Sequence, residues 1–251
     1  MSNAVLHVGV PKTATTTLQM HLFSKLEDVL YLGRYCQSAG PDYFVTDEIG
    51  KSIREIEAHD MGYTVEPAHF RNLIDELFDP DKHRVVLLSN EGMSIFTGTN
   101  PLTKLHRYQS IFDDIKIVYC LRDQMDLLAS MFLVTHRPEH FNIRKLNRQS
   151  WVPTFDQWID INYRYCSEAL IDCFKYHAMI SRYRESVGEG RIFIYTFEEF
   201  IQDPIAISER ILAFMGVGMD RELIVTAMRH DENSHATKRA YYYRQLRTLL
   251  F

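Results

Sequence analysis

Four apolar runs punctuate the chain, at residues 4–10, 84–89, 115–121 and 191–196, and each is nearly continuous rather than alternating. Runs of this length without alternation suit parallel strands that are covered on both faces. Between them the pattern changes to a helical period. Phe70, Leu73, Ile74, Leu77 and Phe78 fall at i, i+3, i+4, i+7 and i+8, which makes one apolar stripe along a helix. Leu127, Leu128, Met131 and Phe132 form a second stripe, and Ile207, Ile211, Leu212 and Met215 a third. Strand–helix alternation predicts an α/β fold, a parallel sheet with helices on both faces. Ligands of such sheets bind at the carboxyl ends of the strands.

Two stretches depart from the pattern. Residues 34–66 hold Gly40, Pro41 and scattered acids, and residues 136–155 hold Arg137, Pro138, Arg144, Lys145 and Arg148. Both read as loops or lids over the sheet, where substrates are commonly selected. No repeat, low-complexity tract or separating linker interrupts the chain. With 251 residues, 46% of them hydrophobic, one domain spanning 1–251 is expected.

Charge and cysteines narrow the function. A net charge of −5 argues against broad binding to nucleic acid or to an anionic membrane, though it leaves room for a local basic pocket. Cys36, Cys120, Cys166 and Cys173 lack metal-ligand spacing and read as reduced, buried thiols. No apolar run approaches the roughly 20 residues of a membrane span, and no signal peptide is expected, since the first strand starts almost at Met1. The expectation is a cytoplasmic protein.

The first strand carries the chemistry. It ends in Pro11 and Lys12, passes through Thr13, Ala14, Thr15, Thr16 and Thr17, and turns amphipathic at Leu18, Leu22 and Phe23. A strand that breaks into a loop and feeds a helix N-terminus is an anion site, because free N–H groups and the positive end of the helix dipole face the ligand. Lys12 adds a charge and the threonines add hydroxyl donors. In the ATP/GTP loop the Lys directly follows a second Gly and precedes the magnesium-binding hydroxyl; here the Lys comes early. The order resembles the phosphosulfate-binding loop of sulfotransferases, P-K-[ST]-G-T-[ST]-x-L. Pro11, Lys12, Thr13, Thr15, Thr16 and Leu18 match it, and Ala14 replaces the Gly. Ala has no special access to positive φ, so the loop is expected to take a conformation that an L-residue tolerates.

Three further segments extend the resemblance. The strand ending at Leu121 runs into Arg122 and Asp123, and Ser130 stands eight residues after the Arg. This is similar to the family segment that binds the 3′-phosphate of 3′-phosphoadenosine 5′-phosphosulfate (PAPS), with Gln124 in place of the usual Pro. An Arg at a strand end offers a planar fork to phosphate; the structural alternative is an Arg–Asp pair and a packed Ser. Ser89-Asn90-Glu91 resembles the Ser-x-Glu of carbohydrate sulfotransferases, which implies Glu91 as general base for the acceptor hydroxyl. The alternative is an exposed Glu capping a turn, and His7 and His136 are rival bases. Tyr195, Thr196, Phe197, Glu198 and Glu199, with Asp203-Pro204 beyond, resemble the segment that places an aromatic near adenine. That makes Thr196 and Phe197 cofactor candidates. Asn233 to Arg239 is similar to the basic C-terminal loop of bacterial members, implying that Lys238 or Arg239 closes over the 3′-phosphate. Trp151, Phe155 and Trp158 offer either a sugar-stacking face or packing.

The resemblance implies a three-layer, P-loop NTPase-like sulfotransferase fold. It implies a PAPS-dependent enzyme that leaves 3′-phosphoadenosine 5′-phosphate (PAP). Lys12 and Glu91 would be catalytic, and Lys12, Thr13, Ala14, Thr15, Thr16, Thr17, Arg122, Ser130, Phe197, Lys238 and Arg239 would hold the cofactor. No metal is required where Lys12, Arg122 and the helix dipole meet the donor's charge. Glu91 as base leans toward a glycan or glycolipid acceptor over a small phenol. Two rivals stand beside this reading, a P-loop small-molecule kinase and a non-catalytic nucleotide-binding protein.

Overall fold

The computed structural model describes residues 3–10, 12–33, 45–57, 66–94, 100–135, 154–165 and 174–229. Five strands, β1 (Asn3–Gly9), β2 (Val29–Tyr31), β3 (Val85–Ser89), β4 (Asp114–Leu121) and β5 (Ile192–Thr196), form one sheet in the order β2-β3-β1-β4-β5. Every pairing is parallel. After β1 a short helix α1 (Thr15–Thr17) passes into a π-helical turn (Leu18–Leu22) and a 3-10 turn (Phe23–Lys25). Then come α2 (Asp47–Glu57), α3 (Pro67–Leu77), α4 (Pro101–Gln109), α5 (Gln124–Thr135), α6 (Phe155–Tyr165), α7 (Tyr176–Val187), α8 (Phe197–Gln202), α9 (Pro204–Met215) and α10 (Arg221–Met228).

The strand order decides which face each helix covers. Right-handed crossovers place a connection on one face when it moves one way along the sheet and on the other when it moves back. From β1 the chain steps past β3 to the edge; from β2, β3 and β4 it returns in the opposite direction. The segment after β1 therefore lies on one face, where Leu18, Leu22 and Phe23 pack with Val5, Val118 and Tyr195. The C-terminal helices join it there through Phe200, Ile207, Ile211 and Met215. On the other face Ile49 and Ile53 of α2, Phe70 and Ile74 of α3, Leu105 and Tyr108 of α4, and Met179 and Tyr183 of α7 pack against Ala4, Leu6, Val8 and Ile117. Alternate residues of β1 thus enter opposite cores, as the two-residue period of a strand requires.

The four strands read from the hydrophobic pattern are present to within a residue or two at each end. β2 was outside that reading because it is a three-residue edge strand. Residues 34–66 are not loop throughout: α2 lies there, with Ile49, Ile53 and Ile56 buried. Its stripe is interrupted by Gly50 and surrounded by Asp47, Glu48, Glu55 and Glu57. Among the described residues, no helix is long and apolar enough to cross a membrane.

Since β1 and β3 are neighbours whose connections leave to opposite faces, a crevice opens between their carboxyl ends. The loop after β1 and the turn after β3 meet in it.

Candidate active site

The loop after β1 is bent by two residues with positive φ, Lys12 (72°) and Ala14 (59°), and the sign of φ alternates across Lys12, Thr13 and Ala14. Alternating backbone of this kind turns successive N–H groups toward one concavity, an anion-binding nest. Ala14 sits in the left-handed region with ψ 19° and precedes the first turn of α1. The L-residue is thus held in the conformation that Gly takes freely, at a cost of about 1–2 kcal/mol. The loop is fixed from within and below. Thr13 donates its hydroxyl to the Val10 carbonyl at 2.7 Å, and the Thr17 N–H reaches the Ala14 carbonyl at 3.1 Å. A Cβ on Gly9 would stand 2.9 Å from both Thr13 Oγ1 and Thr15 Cγ2, so only Gly lets the threonines close over the end of the strand. Thr13 and Thr15 are buried and Thr16 is half-buried. The half-buried Lys12 ammonium has no partner among the described residues.

Glu91 opens a 3-10 turn, Glu91–Met93, at the end of β3. It accepts a hydrogen bond from the Thr15 hydroxyl, so the strand pairing of His7 with Ser89 places a carboxylate on the phosphate-type loop. The turn is held on every side. Asn90 accepts from the Gly92 N–H at 3.1 Å and donates to Glu57 at 2.8 Å. Ser94 donates to the Gly9 carbonyl at 2.7 Å. Lys104, fully buried on α4, donates to the Gly92 carbonyl at 2.7 Å. A Cβ on Gly92 would overlap the Glu57 carboxylate, so any larger residue here would displace that side chain from Asn90.

Arg122 follows β4. Its guanidinium donates to the Lys12 carbonyl and stacks over the Phe197 ring with Cζ 4.3 Å from the centroid; its Nε is buried without a partner. The Arg–Asp pair weighed from the sequence does not form, because the Asp123 carboxylate caps α5 through the Met125 and Asp126 N–H groups at 2.9 and 3.0 Å. Ser130 is half-buried on α5, and Phe197 half-buried at the start of α8. Thr196 is committed to a capping box with Glu199. Pro11, His136, Trp151, Lys238 and Arg239 lie outside the described residues. Trp158 is buried and stacks on Phe155, the packing alternative for that pair.

His7 lies beneath the site. One ring nitrogen meets Ser89 Oγ at 2.7 Å and the other Tyr195 Oη at 3.1 Å, while Gln19 of the π turn donates to Ser89 Oγ at 2.9 Å. Burial holds the His7 pKa down to about 3 and pushes the Tyr195 phenol well above its ordinary range. A neutral imidazole with both ring nitrogens partnered ties β1, β3, β5 and the first helical segment together. Cys120, beside Tyr195 and under the loop, is pushed up to about 12, chiefly by burial, and is an inert thiol.

Sequence reasoning missed Gln19, Asn90, Glu57 and Lys104. Lys104 left a signal, since Pro101, Lys104, Leu105 and Tyr108 occupy the buried stripe of α4 and a Lys in such a stripe needs a buried acceptor. Glu57 left none, because its contact depends on how α2 meets the turn.

The described geometry agrees with what the chain is similar to. Among solved structures, a sulfotransferase from Alicyclobacillus acidocaldarius matches with a TM-score of 0.56 at 18% identity, over 89% of this chain and 88% of that one. The sulfotransferase domain from the curacin biosynthetic pathway matches at 0.50 and 12%, over 94% and 82%. A mouse sulfotransferase complexed with PAP matches at 0.47 and 14%, over 90% and 63%. At these identities the likeness to the first two is one of fold. No curated protein matches the sequence. The sulfotransferase domain, however, matches residues 2–242, nearly the whole sequence, and on that match the chain belongs to the sulfotransferase family.

Proposed function

We propose that the protein transfers a sulfuryl group from PAPS to an acceptor hydroxyl, with a glycan or glycolipid as the acceptor class. One observation carries this reading: the loop that begins at Lys12 and the carboxylate of Glu91 share one crevice, joined by the Thr15 hydroxyl. The residues fit such a donor. The Lys12 ammonium is uncommitted among the described residues, the loop backbone is shaped for an anion, and Arg122 keeps a buried Nε without a partner.

The donor supplies a sulfuryl group on a phosphate leaving group. Glu91 accepts the proton of the acceptor hydroxyl as its oxygen bonds to sulfur. Lys12 stabilises the charge that builds on the departing phosphate oxygen as the sulfur–oxygen bond breaks. The N–H groups of Thr13 to Thr17, with the Thr16 and Thr17 hydroxyls, hold the 5′-phosphate. Arg122 and Ser130 bind the 3′-phosphate, and Lys238 or Arg239 closes that side. Positioning and charge, rather than covalent catalysis, supply the rate, as in phosphoryl transfer. The reading is of a single domain acting in the cytoplasm.

Calorimetry with PAP, in competition with 5′-AMP and with ATP in the absence of magnesium, tests it. Micromolar binding that is lost without the 3′-phosphate is the expected result. A preference for magnesium-ATP would put the kinase first. PAP binding without transfer to any acceptor, with Glu91→Gln changing nothing, would mark a non-catalytic binder.

A further inference from the structure

We infer that Phe197 sets the demand for a 3′-phosphate by holding the Arg122 guanidinium in place, rather than by contacting adenine. The inference rests on the reading of Arg122 as the 3′-phosphate ligand. Within the described residues, Arg122 has a carbonyl and a ring face as its guanidinium partners, and no carboxylate. Its main chain is anchored too, because the Tyr176 hydroxyl donates to the Arg122 carbonyl at 3.0 Å. The acid next to it in the chain, Asp123, is spent on capping α5.

The chemistry of the platform matters. A carboxylate partner would orient the guanidinium but take up the charge and the N–H fork that a phosphate needs. An aromatic face orients it through the ring quadrupole and leaves the N–H edge available. The backbone that carries the ring is fixed. Thr196 accepts from the Glu199 N–H at 3.1 Å, and Glu199 accepts from the Thr196 N–H at 2.8 Å. Glu198 accepts from the Asp123 N–H at 3.1 Å. The residues on both sides of Phe197 therefore lock the start of α8, and one of those locks runs to the residue after Arg122. The same guanidinium donates to the Lys12 carbonyl, but the loop is also held by its own bonds from Thr13 to Val10 and from Thr17 to Ala14, so the 5′-phosphate side does not depend on the platform.

The two roles of Phe197 separate cleanly in binding. PAP and 5′-AMP share the adenine and differ in the 3′-phosphate. Affinities of both ligands are measured by calorimetry for wild type, Phe197→Leu, Phe197→Tyr, Arg122→Ala and the Phe197→Leu/Arg122→Ala pair. Phe197→Leu is expected to lower the preference for PAP over 5′-AMP by about tenfold, the size of a part-buried cation–π contact. Affinity for 5′-AMP should stay within about twofold, since the shared adenine contact is untouched in this scheme. Phe197→Tyr, which keeps the ring, should retain the preference, and Phe197→Leu should cost nothing further once Arg122 is removed. Equal losses of PAP and 5′-AMP would make Phe197 an adenine contact and overturn the inference. If Phe197→Leu does not fold, loss of preference in Phe197→Tyr overturns it instead. An Arg122→Ala variant that keeps its preference for PAP would sink the underlying assignment of Arg122, a different result from a preference that falls in Arg122→Ala alone.

Discussion

The loop after β1 and the turn after β3 face each other across one crevice and are built on opposite plans. The loop keeps strained backbone at Lys12 and Ala14, and its ammonium is left without a partner among the described residues. The turn is unstrained and fully tied: Asn90, Ser94, Lys104 and Glu57 hold the backbone around Glu91. An element that must receive a charged ligand gains from donors that are shaped but uncommitted. An element that must accept one proton from one direction gains from rigidity. Thr15, donating across to Glu91, is the bond at which the two plans touch.

The harshest way to break the contrast is to discharge the loop. Lys12→Ala is expected to lower turnover by about 10²–10³-fold, as loss of one transition-state charge donor does. A loss under threefold in the transfer assay would remove Lys12 from the mechanism and leave the loop a binding element only. Lys104→Met attacks the other side by removing the brace while keeping an unbranched apolar side chain of nearly the same length. Turnover should fall by about tenfold through misplacement of Glu91, while PAP affinity measured by calorimetry stays within about twofold, since the loop has its own internal bonds. Equal losses in both quantities would mean that the two regions are one energetic unit.

How legible each region was in the sequence follows from the same contrast. The loop is local: Lys12, Ala14 and the threonines are contiguous, so the strand, the break and the helix start can all be read from adjacent residues. Glu91 was legible as a candidate, but its support was not. Glu57 lies 33 residues before Asn90 and Lys104 lies 12 residues after Gly92 on the next helix, and their approach to the turn depends on how α2 and α4 pack on that face of the sheet. Arg122 was legible as a cation at a strand end, whereas its bonds to Lys12 and Phe197 needed β4 beside β1 and β5. The fold itself was readable because parallel strands covered on both faces leave continuous apolar runs. The three-residue β2 leaves no such run, and α2 hid its stripe among acids.

His7 offers a gentler probe, because it is the floor under both regions. Its carbonyl accepts from Asn90 N–H at 3.3 Å and its ring meets Ser89 and Tyr195. The folded pKa of about 3 lies below the ordinary value of 6.5, so between those values the unfolded chain binds a proton that the folded one does not. The resulting stability is fully present above pH 6.5 and is lost as pH falls toward 3. In that window the slope of unfolding free energy against pH should exceed that of His7→Gln by about 1.4 kcal/mol per pH unit, one proton's worth. Denaturant melts at pH 4, 5 and 6 measure it. Equal slopes in the two proteins would mean that the imidazole is solvated in solution and that the floor is looser than its hydrogen bonds describe.

The smallest expected effect is the most specific to the loop. At an ordinary negative φ, Ala14→Gly would lose about 1 kcal/mol to backbone entropy and a further part of a methyl's burial, since Ala14 packs on the core beneath the loop. In the left-handed conformation the same substitution also recovers the about 1–2 kcal/mol that an L-residue pays there. The terms cancel, so the variant should melt within about 2 °C of wild type, less than the shift of a 1 kcal/mol change in a domain of this size. A fall of about 5 °C or more would show that Ala14 does not hold positive φ in solution. The loop would then not be pre-bent, its N–H groups would have to be turned by the ligand, and the contrast with the braced Glu91 turn would be one of mobility rather than of stored strain.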